Sequence, residues 1–160
     1  MKHIKLTTNS PKETQNVARL FAKELMRFSL VRNGALVVAL EGDLGGGKTT
    51  FAQGFARGLG IREKVLSPTF VIMRIFNLRK VTFRRFVHID AYRLKGVKEL
   101  QPLGWRYILQ DRETIVLVEW ADRVRRALPK GYIQVKFEFL SENERHIIIQ
   151  SAKFKVKSYS

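Results

Sequence analysis

Eight consecutive residues, Gly42-Asp43-Leu44-Gly45-Gly46-Gly47-Lys48-Thr49, fit the spacing G-x-x-x-x-G-K-[ST]. The residue types suit one task, the binding of phosphate. Glycines let the backbone curl until successive N–H groups converge on anionic oxygens. A lysine at position 48 would reach the β- and γ-phosphates of a nucleotide, and the Thr49 hydroxyl would ligate Mg²⁺. A helix beginning there points its positive end at the anion.

A Mg–nucleotide also needs an acid to hold the ion or its waters, and often a polar group to orient an attacking water. Such groups belong at the carboxyl ends of strands, where ligands sit in open α/β sheets. Two runs have that form. Phe86-Val87-His88-Ile89-Asp90 ends in Asp90, and Ile115-Val116-Leu117-Val118-Glu119 ends in Glu119. The plainer alternative for either acid is a turn residue closing a strand. Thr69, in Ser67-Pro68-Thr69-Phe70, could sense a γ-phosphate as switch loops do; otherwise it is an ordinary turn before a strand. His88 alternates with Asp90, so it either lines the same pocket or is a hydrogen-bonded structural histidine. His3, His88 and His146 are too scattered for a metal site.

These groups need elements to hold them. Ser10-Pro11-Lys12-Glu13 is a helix start, with Ser10 as N-cap, Pro11 at the first helical position and Glu13 closing a capping box. Val17, Leu20, Phe21, Leu25 and Phe28 follow at helical spacing. Ala35–Leu40 is a continuous apolar run, which reads as a strand buried on both faces. A helix from Lys48 to about Leu59 follows the glycine turn and stops at Gly60. Phe70–Phe76 and Thr82–Ile89 read as strands of a hairpin joined through Asn77-Leu78-Arg79-Lys80. Val97–Leu103 reads as a short helix and Ile115–Val118 as a compact strand. Tyr132–Leu140 and Arg145–Val156 form a last hairpin. The pattern is α/β for two thirds of the chain, with antiparallel strands added at the end.

At 160 residues the chain is expected to be one domain, residues 1–160. The absence of cysteine excludes disulfides, thiolate-bound zinc, iron–sulfur clusters and thiol catalysis. Met1–Ser10 has no apolar core, and no apolar run approaches a bilayer's thickness, so a soluble, cytoplasmic protein with no membrane role is expected. The net charge of +16 calls for anionic partners. Residues 61–112 hold 12 of the 30 Lys and Arg but 4 of the 14 Asp and Glu, so the excess peaks in the middle. Arg74, Arg79, Lys80, Arg84 and Arg85 cluster there with Phe76, Phe83 and Phe86 between them. Two readings stand: a ribbon contacting nucleic-acid phosphates, or a solvated hairpin whose phenylalanines face the core.

Taken in order, four segments resemble the TsaE family, the small ATPases of bacterial tRNA threonylcarbamoyladenosine biosynthesis. They are Gly42–Thr50, Ser67–Phe70, His88-Ile89-Asp90-Ala91-Tyr92-Arg93-Leu94, and Val118-Glu119-Trp120. The resemblance runs from the first helix to Trp120 and is weaker in the final strands. It implies a P-loop NTPase-like α/β fold, with a mostly parallel central sheet flanked by helices and extended by antiparallel strands. It implies weak intrinsic ATP hydrolysis with Mg²⁺, and action with TsaB and TsaD, which transfer the threonylcarbamoyl group to tRNA. Carried over by position, Gly45, Gly46, Gly47, Lys48, Thr49 and Thr50 bind the nucleotide, with Ser10 bordering the adenine. Thr49 and Glu119 hold Mg²⁺, and Lys48, Asp90 and Glu119 serve catalysis. Asp90 polarises water or couples hydrolysis to movement. Thr69 lies in the switch-like loop, and Trp120 beside the nucleotide. Two departures stand out. Gly46 replaces the usual alanine. The stretch Gly96–Asp111, usually acidic, here carries Lys98 and Arg106.

Two other functions fit a phosphate loop on a short chain: a small-molecule kinase whose basic middle acts as a lid, and a nucleotide-stabilised RNA-binding scaffold. A GTPase is disfavoured because no N-K-x-D occurs, and an ABC-type ATPase by length and the missing signature loop.

Overall fold

Among the described residues the apolar runs become the centre of a seven-stranded sheet. In the computed structural model, which describes residues 2–27, 32–43, 45–65, 71–79 and 82–151, β1 is Lys2–Thr8 and helix α1 is Pro11–Arg27. Strand β2 (Leu36–Gly42) leads through the glycine loop into α2 (Lys48–Gly58). Strands β3 (Met73–Asn77) and β4 (Arg85–Asp90) precede α3 (Trp105–Gln110). Strands β5 (Thr114–Glu119), β6 (Ile133–Phe139) and β7 (Arg145–Ser151) complete the sheet. Two 3₁₀ segments, Val97–Leu103 and Ala121–Ala127, cover the face opposite α2.

The spatial order is β1-β7-β6-β2-β5-β4-β3. Strands β6, β2, β5 and β4 run parallel, while β3 at one edge and β7 and β1 at the other run antiparallel to their neighbours. The parallel core with antiparallel margins agrees with expectation, with one refinement. The final hairpin is not wholly antiparallel to the rest, because β6 joins β2 in parallel. Strand β1 has no counterpart among the expected elements. It holds only Ile4 and Leu6 as apolar residues, and His3–Thr7 are all exposed, as befits a margin strand.

Strand parity separates two cores. Leu36, Val38, Leu40, Ile115 and Leu117 face α1 and α2; Val37, Ala39, Val116 and Val118 face Leu100, Trp105 and Val124. Both central strands are buried along nearly their whole length, which is why they read as unbroken apolar runs. Phe51 and Phe55 of α2 stack on each other and reach Phe86 and Phe137 of the sheet. Truncating either to alanine costs about 3–5 kcal/mol on the usual scale for wholly buried rings.

The predicted capping box forms in part, with the return bond from Glu13 going to Asn9 rather than to Ser10. Ser10 Oγ accepts the Glu13 N–H at 3.1 Å, and Glu13 Oε2 accepts the Asn9 N–H at 2.7 Å. The buried stripe of α1, however, is Thr14, Ala18, Ala22 and Leu25, with Val17 and Phe21 at its margin and Leu20 54% exposed. The cause is close helix contact. A Cβ on Gly54 of α2 would stand 2.2 Å from the Gln15 carbonyl oxygen, and one on Gly58 2.7 Å from the Ala22 methyl. Small residues therefore occupy the seam, and the larger Leu20 turns outward. Phe28 lies outside the described residues. The hairpin strands are shorter than the predicted spans, and Thr82 instead donates to the Met26 carbonyl at 3.0 Å.

Candidate nucleotide site

Strand β2 delivers the chain to the loop, and Gly47, at φ 99, turns it into α2. That backbone region is natural only to glycine. Unlike α1, helix α2 has no side-chain cap and no acid in its first turn. Its leading N–H groups are left for an anion. A cleft of about 210 Å³ lies over them, lined by Gly45, Gly46, Gly47, Lys48, Thr49, Thr50, Trp120 and Arg145.

Lys48 is buried, and Nζ donates to the Gly42 carbonyl at 2.5 Å and the Asp43 carbonyl at 2.7 Å. The ammonium also stands 4.0 Å from the centre of the Trp120 ring. Burial lowers its pKa, and nearby Glu119, Asp122, Asp43 and Asp90 oppose that shift without cancelling it. The lysine is thus a desolvated cation held at the loop by carbonyls, a group an incoming phosphate would stabilise in its charged form.

Both predicted acids come to the same place. Asp90 and Glu119 are register partners at the carboxyl ends of parallel strands β4 and β5, and both are buried. The Thr49 hydroxyl donates to Glu119 Oε1 at 2.8 Å. Glu119 Oε2 lies 2.7 Å from His88 Nε2, on a histidine with no solvent exposure. Asp90 Oδ1 accepts the Tyr92 N–H at 2.9 Å, which holds the turn after β4. A hydroxyl and a carboxylate oxygen at hydrogen-bond distance, beside a phosphate-sized cleft, are the hard donors Mg²⁺ takes when phosphates supply further ligands. The donor set therefore fits that ion.

Trp120 follows Glu119 with φ 57 and ψ 41, a strained conformation for a large side chain. The turn brings its ring over Lys48 and to 5.0 Å from the Tyr92 ring. Ser10 stands at the start of α1 with its hydroxyl occupied in the capping box, and the first turn of α1 approaches Gly47 through the Thr14 methyl.

His88, which alternates with Asp90, satisfies both of its expected readings, since it is fully buried and its ring nitrogen lies against the site acid Glu119. Arg145 carries no local signal. It reaches the cleft because β7 is paired with β6 and β1, and its guanidinium lies 4.7 Å from the Phe139 ring centre and donates to the Ser141 and Glu144 carbonyls.

The basic middle segment does not form one patch. Phe76, Phe83 and Phe86 are core residues, as the solvated-hairpin reading had it. Arg84 lies 3.6 Å from Glu113 and Arg85 2.7 Å from Asp111, acids brought in by the loop that leads into β5. Arg74 and Arg79 line a separate groove of about 810 Å³ with Arg62 and Glu63. Thr69 and Lys80 lie outside the described residues. No described helix is long and apolar enough to cross a membrane.

Comparison with known proteins converges on one family. The family model described as "Threonylcarbamoyl adenosine biosynthesis protein TsaE" matches residues 8–147. A Bacillus subtilis protein named tRNA threonylcarbamoyladenosine biosynthesis protein TsaE is 37% identical over 147 residues, covering 92% of this chain and 85% of the relative. A Rickettsia prowazekii protein of the same name is 33% identical, covering 92% and 95%. The crystal structure of Bacillus subtilis YdiB superposes with a TM-score of 0.68 at 33% identity, covering 96% of this chain and 87% of that one.

Proposed function

The chain belongs to the TsaE family, and from that premise we propose that it is a P-loop ATPase, an accessory subunit of tRNA threonylcarbamoyladenosine biosynthesis. The observation that carries this reading is the Thr49–Glu119 hydrogen bond of 2.8 Å beside the glycine loop. It joins the residue after the phosphate-binding lysine to the buried acid of a neighbouring strand, as a Mg–nucleotide site requires.

On this reading, the loop N–H groups of Gly45–Thr50 and the Lys48 ammonium hold the β- and γ-phosphates of ATP. Lys48 exchanges the Gly42 and Asp43 carbonyls for phosphate oxygens. Thr49 and Glu119 hold Mg²⁺, which neutralises charge on the phosphates when bound. Asp90 orients the water that attacks the γ-phosphorus, or links hydrolysis to movement of the Tyr92 turn. Hydrolysis yields ADP and inorganic phosphate. The desolvated Lys48 and the buried carboxylates act in a low-dielectric setting, where each interaction is stronger than in water.

The partners on this reading are TsaB and TsaD, with tRNA reached through their complex. A direct tRNA contact would use Arg74 and Arg79 with Arg62 along their shared groove, rather than the ion-paired Arg84 and Arg85. The test is reconstitution with TsaB, TsaD and tRNA. Wild-type protein sustains repeated rounds of modification and Lys48→Ala does not. Equal modification by both proteins contradicts the reading.

A further inference from the structure

His88 has no solvent exposure, and its Nε2 lies 2.7 Å from Glu119 Oε2. An ionised carboxylate only accepts hydrogen bonds, so Nε2 carries the proton of this contact. Among the described residues Nδ1 has no hydrogen-bond partner. The ring plane is set by stacking on Phe86, with centroids 6.0 Å apart and planes 16° from parallel. One edge of a fully buried imidazole is thus spent on one oxygen of one carboxylate. The other oxygen of that carboxylate accepts from Thr49 at 2.8 Å. A buried ring nitrogen without a partner is costly, a cost that an apolar side chain at position 88 would avoid.

We propose that His88 is a positioning residue for the metal-holding carboxylate. By donating from Nε2 to Glu119 Oε2, it sets the rotation of the carboxylate so that Oε1 faces the Thr49 hydroxyl and an ion bound there. The inference rests on the proposed Mg²⁺ role of Thr49 and Glu119. The β4–β5 pairing supports it: His88 is opposite Leu117 and Asp90 opposite Glu119, so the ring lies one pleat below the acid and approaches its far oxygen. Without the histidine, Glu119 can rotate about its terminal bond and abandon the Thr49 direction.

The test separates donor position from bulk. The amide nitrogen of glutamine reaches about as far as Nε2, and that of asparagine only as far as Nδ1. Mn²⁺ affinity in the presence of saturating ADP is measured by electron paramagnetic resonance for wild type, His88→Gln, His88→Asn and Glu119→Gln. ADP affinity is measured separately in EDTA. His88→Asn weakens Mn²⁺ binding by about 10–100-fold, the range for partners of metal ligands, and His88→Gln restores most of it. ADP affinity in EDTA stays within about 3-fold of wild type, which a general structural lesion would not allow. Equal Mn²⁺ affinity for His88→Asn and wild type overturns the proposal while leaving the Glu119 assignment intact. Equal affinity for Glu119→Gln and wild type overturns the metal assignment itself. In the wild-type protein, ring ¹H–¹⁵N correlation spectra place the proton on Nε2, and its signal shifts between the ADP and Mg–ADP forms. A bare Nε2 with the proton on Nδ1, or no shift, refutes the positioning role even if a variant fails to fold.

Discussion

The Thr49 hydroxyl donates to Glu119 Oε1 at 2.8 Å although the two residues are 70 positions apart. This bond connects the helix that begins at the phosphate loop to the strand beside the one that feeds it. Both groups are oxygen donors, and both lose a partner if the other is removed. Thr49→Val and Glu119→Gln should each lower Mg²⁺-dependent ATP hydrolysis by about 100- to 1,000-fold, since metal stabilisation of transition-state charge is worth several kcal/mol. Phosphate release measured across a Mg²⁺ titration checks this. ATP binding in EDTA should persist in both variants.

Arg145 lines the same cleft from β7, on the side of β2 away from Glu119, with its guanidinium held by two carbonyls and an aromatic ring. A fixed cation facing the phosphate loop should contribute a charge-assisted contact. Arg145→Ala should weaken ATP binding by about 10-fold, near the lower end for such bonds. A fluorescent-nucleotide titration reads the effect. Hydrolysis at saturating ATP should change far less.

Gly54 sits in the middle of α2, where alanine would ordinarily gain about 1 kcal/mol of helix propensity. Here a Cβ would lie 2.2 Å from the Gln15 carbonyl oxygen and 2.6 Å from its Cα, both backbone atoms. Gly54→Ala should therefore lower stability by about 2 kcal/mol, as overpacking does. Urea unfolding of the variant would show it as a lower midpoint with an unchanged slope.

Asp111 joins the start of β5 to Arg85. Burial alone raises its pKa, but the Glu113 N–H, the Thr114 hydroxyl and the Arg85 guanidinium outweigh that and hold it below the usual carboxylate range. A depressed carboxylate stabilises the fold above its unfolded pKa and loses that contribution as pH falls through the lowered value. The melting temperature of wild type should thus fall below pH 4 more steeply than that of Asp111→Asn, which should also melt lower near neutrality. Thermal melts across an acid series check both.

Much of this site was legible because its signals are local. The glycine loop, the Ser10–Glu13 capping box and the strands ending in Asp90 and Glu119 are each written in a few adjacent residues. What escaped was set by distant pairing. The Leu20 side chain turns outward because Gly54 and Gly58 on another helix demand small neighbours. Arg84 and Arg85 look unpaired until parallel pairing brings Glu113 and Asp111 beside them. Arg145 is an ordinary hairpin arginine until β7 folds back beside the loop. Strand β1 had too few apolar residues to announce itself, since a margin strand buries little.

The central claim is that the Lys48 loop binds Mg–ATP. Calorimetric titration of Mg–ATP into wild type and Lys48→Ala, with thermal melts to confirm folding, tests it most directly. Wild type should bind one nucleotide per chain, and Lys48→Ala should bind at least about 100-fold more weakly, the loss expected from a desolvated charged contact to phosphate. Indistinguishable affinities for the two folded proteins, or no binding by wild type, would contradict the account.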